Sequence, residues 1–308
     1  MTSPLITIAV LSYKNLEYLN ECLDSIFSQT YENIELIISN DGAESFDEAV
    51  VKSYAEQHRT SCFSNIIVNK NPCNVGTVKH CNIVLGLANG EYMMFIACDD
   101  TFNNPGVVRS LAEGFELVPS DAMSIVCQTE MRNDDLSVCM ELYVKKETQK
   151  HINRLSPREL YAKHLTSSSV FPPASRIYKM DAFKIYGGFD ETYFLIEDWT
   201  SSMSYARQGM KTYYLDITGV NHRDGGVSSA ASDKKGFAHR MYMLDIIRGY
   251  ENVLSDHLVP PNVSDTVNTK RNWWLMQFCK IWGSRYTIEM QESVNIGEYI
   301  ANYWDALT

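Results

Sequence analysis

Residues 5–98 alternate between two hydrophobic patterns, and no other feature of the chain constrains its fold as strongly. Continuous apolar runs such as LITIAVLS at 5–12 are typical of strands buried on both faces of a parallel sheet. Between these runs, apolar residues recur at helical spacing, as at Leu16, Leu19 and Leu23. The predicted elements are strands at 5–12, 34–39, 65–69 and 91–98, and helices at 16–27, 47–58 and 77–88. This βαβαβαβ order predicts a doubly wound α/β layer.

Polar clusters follow three of the predicted strands. They are SYKN at 12–15, SNDGA at 39–43 and CDDTF at 98–102. Ligands of doubly wound sheets bind beyond the carboxyl ends of the strands, so these clusters mark a candidate site. In the third cluster, Asp99 and Asp100 directly follow an apolar run, and like charges that close repel each other. A bound cation would remove that conflict.

The rest of the chain is less regular. Asn104 is predicted to cap a helix at 103–118, with Pro105 at its first position. SPRE at 156–159 has the pattern of a capping box that opens another helix. The other predictions are a polar, irregular segment at 128–175, a strand at 211–220 and helices after 235.

The composition limits the class of protein. Of 308 residues, 45% are apolar and 21% charged, which is typical of a soluble globular protein. The formal net charge of −11 argues against a nucleic-acid partner. Eight cysteines without a CxxC pair indicate reduced thiols and a cytoplasmic protein. The pattern of a signal peptide is absent, and no window approaches the about 20 apolar residues of a spanning helix.

Taken together, the motifs resemble family 2 glycosyltransferases, which have the GT-A fold. SYKN, SNDGA, NVG at 74–76 and CDD stand in the family's order, and GGFDETYFLIEDW at 187–199 resembles its acceptor-side segment. The resemblance implies a Rossmann-like, doubly wound, mostly parallel α/β sheet with a C-terminal helical extension. The implied parts are a nucleotide-sugar-binding part at 1–102, an acceptor-binding part at 103–235 and a helical region at 236–308.

The resemblance also implies a UDP-sugar donor and a divalent cation, Mn²⁺ or Mg²⁺, which stabilises the charge that develops on the diphosphate. Asp99 and Asp100 are the predicted metal ligands, and Asp99 is also predicted to bind the nucleotide-sugar donor. His222 would complete the metal site or touch the diphosphate. The alternative is a polar turn in which one Asp caps the next helix. Ala97 stands where the family has another acidic residue.

Four further residues are expected to contact the nucleoside by resemblance. Asp41 would accept a hydrogen bond from uracil, although NDG is also a strong turn signal. Tyr13 would contact the base, or is only an aromatic residue at a strand end. Asn74 and Gly76 would let the backbone approach the ribose or the diphosphate.

The sequence offers several candidates for the positively charged side chain that would bind the diphosphate. Cys81 stands where the family commonly has an Arg, which leaves Lys79 or His80 as candidates. Arg223 is a further candidate for a phosphate contact.

Asp198 is the predicted general base, because an acceptor hydroxyl must lose its proton as it attacks the anomeric carbon. Glu197 would position the acceptor or a loop. LIEDW places both carboxylates at a predicted helix start, where the helix dipole stabilises negative charge, and that arrangement also occurs without any catalytic role. The inverting outcome follows from the resemblance alone.

The implied acceptor is a hydroxyl of a glycan or a lipid-linked sugar in bacterial surface polysaccharide synthesis. Residues 270–285 combine an aromatic face with basic flanks, so they either pack on the protein or on a second subunit, or make a peripheral contact with the inner face of the membrane. Packing is the commoner use, and a homo-oligomer is left open. A non-catalytic nucleotide-sugar-binding or scaffolding protein is the functional alternative, favoured by Ala97 and Cys81.

Overall fold

The computed structural model describes residues 3–166, 170–172, 174–224 and 235–282. Its first part confirms the predicted alternation of strands and helices, with small differences at the ends. The elements are β1 (Ile6–Ser12), α1 (Leu19–Phe27), β2 (Ile34–Asn40), α2 (Glu48–His58), β3 (Phe63–Lys70), α3 (Thr77–Leu87) and β4 (Tyr92–Ala97).

The second part continues with short strands and longer helices. The elements are β5 (Thr101–Phe102), α4 (Val107–Leu117), β6 (Ala122–Arg132), β7 (Cys139–Leu142), α5 (Lys146–Ile152), α6 (Pro157–Thr166), β8 (Arg176–Lys179), α7 (Met180–Tyr186), α8 (Glu197–Arg207), β9 (Lys211–Arg223), α9 (Phe237–Leu254) and α10 (Pro261–Trp282).

Two of the predictions for this part are wrong. The segment 128–175 is not irregular, because it contains the end of β6 together with β7, α5 and α6. Its polar sequence hid these elements since β7 is almost entirely exposed. The helix predicted at 103–118 begins only at Val107, and Asn104 instead accepts a hydrogen bond from the N–H of Gly106 in the preceding turn.

The capping box before α6 is confirmed. The Glu159 carboxylate accepts a hydrogen bond from the N–H of Ser156 at 2.8 Å, and the Ser156 hydroxyl oxygen accepts one from the N–H of Glu159 at 3.3 Å. These reciprocal bonds satisfy two backbone donors at the helix start.

Within the described residues, one sheet carries all nine strands, in the order β3-β2-β1-β4-β8-β6-β9-β5, with β7 paired to β6. The strands β1, β2, β3 and β4 pair in parallel, as do β6 and β9. Between these parallel groups, β8 pairs antiparallel with both β4 and β6. The mostly parallel sheet agrees with the predicted architecture.

Strand β1 lies in the middle of the parallel group and is buried on both faces. Ile6, Ile8 and Val10 face a core that includes α1, whereas Ala9 faces the core formed with α3. Ile6 and Ile8 are fully buried, so truncating either to Ala would cost about 2–5 kcal/mol. This buried strand fixes the edge of the sheet that is formed by the carboxyl ends of the strands, where the polar clusters lie.

Helices α9 and α10 form a C-terminal helix pair that packs on the rest of the molecule. Phe278 is 1% exposed, and Trp274 and Trp282 are partly buried around the same cluster. The aromatic face therefore packs on the protein over its described part, while 283–285 lie outside the described residues. Trp273 and Met276 remain exposed. Among the described residues, no helix has the length and apolarity needed to cross a membrane.

Candidate active site

A pocket of about 770 Å³ lies between the start of α8, the end of β9 and the C-terminal helix pair. Glu197 and Asp198 line it from α8, His222 from β9 and Thr77 from the start of α3. The fold thus brings together Glu197 and Asp198 of one sequence motif and His222 of another. The volume falls within the range of small-molecule sites, which is about 300–1,000 Å³.

Asp100 and His222 form a pair at the edge of this pocket. His222 Nδ1 lies 3.1 Å from Asp100 Oδ2, and the N–H of Arg223 donates to Asp100 Oδ1 at 3.1 Å. Asp100 is 1% exposed and bonds the end of β9, so the alternative in which it caps the next helix is wrong. Burial lowers the pKa of His222 and is the largest single effect, but the hydrogen bond to Asp100 and the negative charges of Asp100, Asp99 and Asp224 together outweigh it, so the pKa is raised.

The position of His222 differs from the prediction. The strand expected at 211–220 continues to Arg223, so His222 lies within β9 rather than in a following loop. The pairing of Thr101 in β5 with Asn221 sets the imidazole beside Asp100. A regular strand position holds the ring more firmly than a loop would.

Asp99 lies in the turn between β4 and β5 and is half-buried. Burial raises its pKa, and the charge of Asp100 raises it further. Among the described residues, no group of three or more metal-ligating side chains is close enough to hold an ion. An imidazole whose Nδ1 bonds a carboxylate is a common metal ligand through Nε2. The chemistry of Asp99 and His222 therefore fits the predicted divalent metal, and the binding itself stays a prediction.

Arg223 supports the Asp99 turn from beneath. Its guanidinium is 3% exposed and donates to the carbonyl of Asp99 at 3.0 Å and to the carboxylate of Glu21 at 2.6 Å. It also donates to the carbonyl of Asp134 and lies 3.7 Å from the ring centroid of Tyr18. In this structure its charge faces the protein, and the phosphate contact stays a prediction.

The loop that contains Asn74 and Gly76 is held by Asp41. The buried Asp41 carboxylate accepts hydrogen bonds from Asn71 Nδ2 at 2.9 Å and from the N–H groups of Val75 and Gly76 at 3.0 Å each. Asn74 Oδ1 also accepts from the Gly76 N–H at 2.9 Å. Asp41, Asn74 and Gly76, which are predicted to bind the nucleotide sugar, are therefore joined in one hydrogen-bond network.

Gly76 touches the segment that precedes α8. Its φ is +87°, and an added Cβ would lie 2.6 Å from the ring of Phe194. The N–H of Val78 donates to the carbonyl of Phe194 at 3.2 Å. The predicted nucleotide loop and the predicted catalytic pair are thus adjacent through Phe194.

The other predicted nucleotide contacts are more scattered. Tyr13 is half-buried, and its carbonyl accepts a hydrogen bond from Asn40 Nδ2 at 2.8 Å. Lys79 is exposed on α3. His80 is 3% exposed with Nε2 2.7 Å from Ser39 Oγ, and burial lowers its pKa, so His80 does not supply a cation to the site.

Glu197 and Asp198 occupy the first turn of α8, as predicted. Burial, and then the charge of Asp198, raise the pKa of Glu197. Two adjacent carboxylates in a partly enclosed pocket resist double ionisation, so a proton is readily held by one of them.

Residues 7–186 match the family model described as glycosyl transferase family 2. The chain belongs to this family. An uncharacterised glycosyltransferase of Haemophilus influenzae is 34% identical over 97 residues, which cover 32% of this chain and 28% of that protein. One of Rickettsia typhi is 24% identical over 221 residues, covering 70% of this chain and 62% of that protein. The chain thus spans less than two thirds of the length of these relatives.

Solved structures show the same fold. The mannosyltransferase PcManGT of Pyrobaculum calidifontis, in complex with GDP-Man and Mn²⁺, is 15% identical with a TM-score of 0.59, covering 99% of this chain and 81% of that chain. S. aureus TarS 1–349 in complex with UDP-GlcNAc is 17% identical with a TM-score of 0.59, covering 95% and 77%. The predicted GT-A fold is confirmed.

This family 2 member has a pocket wall that sequence reasoning missed. Tyr242 and Tyr250 line the pocket from α9, and Trp273 and Trp274 line it from α10. Lys270 also lines it and donates to the carbonyl of Thr166 at 2.8 Å. The aromatic residues of α10 were visible in the sequence, but nothing there indicated that some of them face the site.

Proposed function

We propose that this protein is a metal-dependent, inverting glycosyltransferase that moves a sugar from a UDP-sugar to a hydroxyl of a glycan or lipid-linked acceptor. The proposal includes a cytoplasmic role in bacterial surface polysaccharide synthesis. One observation carries it: Asp198, Glu197 and His222 line the same pocket, with the His222 imidazole bonded to Asp100 beside Asp99. Family membership supports the nucleotide-sugar donor.

Asp99 and the Nε2 of His222 would hold Mn²⁺ or Mg²⁺. Asp100, which the sequence also predicts as a ligand, is already bonded to His222 Nδ1 and to the Arg223 N–H, so we assign it the role of orienting the imidazole. Such a metal acts as a Lewis acid that stabilises negative charge on the departing diphosphate. The Mn²⁺ bound to PcManGT supports this part of the proposal, as does the orientation that Asp100 gives to the imidazole.

Asp198 accepts the proton of the acceptor hydroxyl while that oxygen attacks the anomeric carbon. The bond from the anomeric carbon to the diphosphate oxygen breaks on the opposite face, which inverts the configuration. Glu197, whose pKa burial raises, stays protonated at neutral pH and donates a hydrogen bond to the acceptor. The two adjacent carboxylates then have separate roles.

The donor nucleotide is tested by ligand-induced stabilisation. UDP-GlcNAc bound to TarS and GDP-Man bound to PcManGT make UDP and GDP the decisive pair. A ligand at 100 times its Kd adds about 2.7 kcal/mol of stability, which a thermal melt resolves. We expect a shift with UDP and UDP-sugars in Mn²⁺, and its loss in EDTA. A shift with GDP alone, or one that survives EDTA, would overturn the donor or the metal assignment.

The acceptor is proposed to lie against the aromatic wall of α9 and α10. The rings of Tyr242 and Trp274 are 6.2 Å apart at 79°, which forms an apolar corner beside Asp198. Apolar walls with a few polar groups are typical of small-molecule sites. Trp274→Ala should raise the KM for the acceptor without changing donor affinity. Trp282→Ala is the matched control, because Trp282 packs on Phe278 with the ring centroids 4.8 Å apart.

The non-catalytic alternative rests on Ala97, which removes one carboxylate from the usual metal-binding pattern, and on Cys81, which stands where the family commonly has an Arg. Under that alternative the protein binds a nucleotide sugar and releases it unchanged. Single-turnover assays with a bound donor and an acceptor panel separate the two functions, since only the enzyme releases the nucleoside diphosphate in step with a glycosylated product.

A further inference from the structure

The backbone directly before the catalytic pair is held by one buried carboxylate of α9. Asp245 Oδ2 accepts hydrogen bonds from the N–H groups of Phe194, Leu195 and Ile196 at 2.9, 2.6 and 3.2 Å. Three successive N–H groups form a concave site for an anion, and they precede the first turn of α8. Here the protein fills that site with its own side chain.

This arrangement is costly for the folded protein. Asp245 is 0% exposed, and its Oδ1 has no hydrogen-bond partner among the described residues. Burial raises its pKa to about 6, against the opposing effect of the three N–H bonds. A buried carboxylate with an unpartnered oxygen destabilises a fold unless something else requires it.

Two more residues of α9 hold the same segment. Arg248 donates to the carbonyl of Thr192, and Asn252 Nδ2 donates to the Tyr193 hydroxyl at 2.8 Å. With Asp245, these side chains occupy positions i, i+3 and i+7, which share one face of a helix. We call residues 245, 248 and 252 the α9 clamp.

The segment held by the clamp contacts both halves of the proposed reaction. On one side, the Phe194 carbonyl and ring meet Val78 and Gly76 of the predicted nucleotide loop. On the other side, Ile196 is followed directly by Glu197 and Asp198. A shift of this segment would therefore move the catalytic carboxylates relative to the bound donor.

We propose that Asp245 is a positioning residue for sugar transfer, which fixes the 194–196 backbone so that Asp198 faces the sugar carried by the nucleotide loop. This inference rests on the proposed function. The carboxylate gives shorter and stronger bonds to N–H groups than a neutral acceptor does. Asp245 lies outside residues 7–186, the part that matches the family model, and it belongs to none of the motifs that carry the family resemblance.

The test compares Asp245→Asn with Asp256→Asn. Asp256 is a second well-bonded carboxylate near the end of α9, but it accepts from Arg207 Nε at 2.6 Å and from the Tyr161 hydroxyl at 2.8 Å, away from the catalytic pair. Displacements of about 1 Å at a reacting centre can cost on the order of 10²-fold in rate. Asp245→Asn should lower kcat by about 10–100-fold with little change in donor Kd, whereas Asp256→Asn should lower the melting temperature and leave kcat unchanged.

Wild-type kcat in folded Asp245→Asn overturns the inference. If that variant does not fold, Asn252→Ala and Arg248→Gln take its place, and wild-type kcat in both overturns it equally. Hydrogen exchange gives a readout without turnover: amides 194–196 should exchange faster in Asp245→Asn while those of β1 stay protected, and unchanged exchange contradicts the clamp. Absence of transfer by the wild-type enzyme, with any donor, instead overturns the proposed function.

Discussion

His222 Nδ1 and Asp100 Oδ2 lie 3.1 Å apart, although 122 residues separate them in the chain. This bond explains why two aspartates stand side by side after a buried strand. Asp100 turns inward and bonds β9, whereas Asp99 remains half-buried at the surface of the turn. Asp100 therefore makes a structural hydrogen bond, whereas Asp99 is the proposed metal ligand.

The division predicts different effects for neighbouring substitutions. Asp99→Asn and His222→Ala should abolish Mn²⁺-dependent binding of UDP, because each removes a proposed ligand. Asp100→Asn should weaken Mn²⁺ affinity by about 10–100-fold, as expected for a residue that only orients a ligand. Isothermal titration with Mn²⁺ in the presence of UDP measures all three.

Asp47→Asn is the matched control for this series. Asp47 caps α2 by accepting from the N–H groups of Ala49 and Val50 at 2.9 and 3.1 Å, and Asn caps helices equally well. If Asp47→Asn and Asp99→Asn bind Mn²⁺ with equal affinity, Asp99 and Asp100 only form a turn and Asp99 is not a metal ligand.

Asp198→Asn should separate catalysis from binding. Loss of a general base lowers kcat by about 10²–10⁴-fold, while UDP affinity should be nearly unchanged because the proposed metal ligands are intact. Steady-state kinetics and UDP titration on the same preparation check both. Unchanged turnover would move the base to another residue, and Glu197→Gln would then be the first variant to examine.

Gly76→Ala should damage donor binding and turnover together. Its φ of +87° and ψ of 156° cost about 1–3 kcal/mol for any other residue, and the new Cβ would overlap the Phe194 ring. Gly86→Ala on the same helix is the control, since a Cβ there meets nothing within 4 Å and Ala favours a helix by up to about 1 kcal/mol. Similar kinetics in the two variants would contradict the contact between the nucleotide loop and Phe194.

Glu197→Gln should reduce the loss of stability as the pH rises from about 4 to about 8. Burial and the charge of Asp198 raise the pKa of Glu197, so the folded protein keeps a proton that the unfolded chain loses above about pH 4.3. Stability therefore falls as pH rises from that value towards the raised pKa. The variant should melt higher than wild type at about pH 8 and similarly at about pH 4, while exposed Glu44→Gln should show no such difference.

The central sheet was predictable because its signals are local. β-branched runs mark buried strands, and the polar clusters at their ends follow at fixed positions along the chain. β7 and α5 were missed for the opposite reason, since β7 buries too little apolar surface to produce a pattern. Only the start of α6 in this segment was indicated, by the capping box at 156–159.

The sequence indicated individual residues for the site but not the geometry that relates them. The sequence indicated Asp100 and His222, but the strand pairing that joins them is not visible in either motif. It gave no direction for the guanidinium of Arg223, which turns inward to Glu21. Asp245 did leave a signal: an acidic residue inside the apolar run MLDII predicts a buried carboxylate that needs donors.

The location of the α9 clamp bears on how enzymes of this kind can be recombined. The C-terminal helix pair supplies the proposed acceptor wall, so exchanging it between homologues is an obvious route to chimeras with altered acceptor preference. Helix α9 of this pair also carries Asp245, which holds the backbone just before Glu197 in the part of the protein that would receive the graft. A grafted helix pair without an aspartate at that position would bring a new acceptor wall but would leave the backbone N–H groups of residues 194–196 without their acceptor. Productive chimeras must therefore inherit the aspartate along with the aromatic wall.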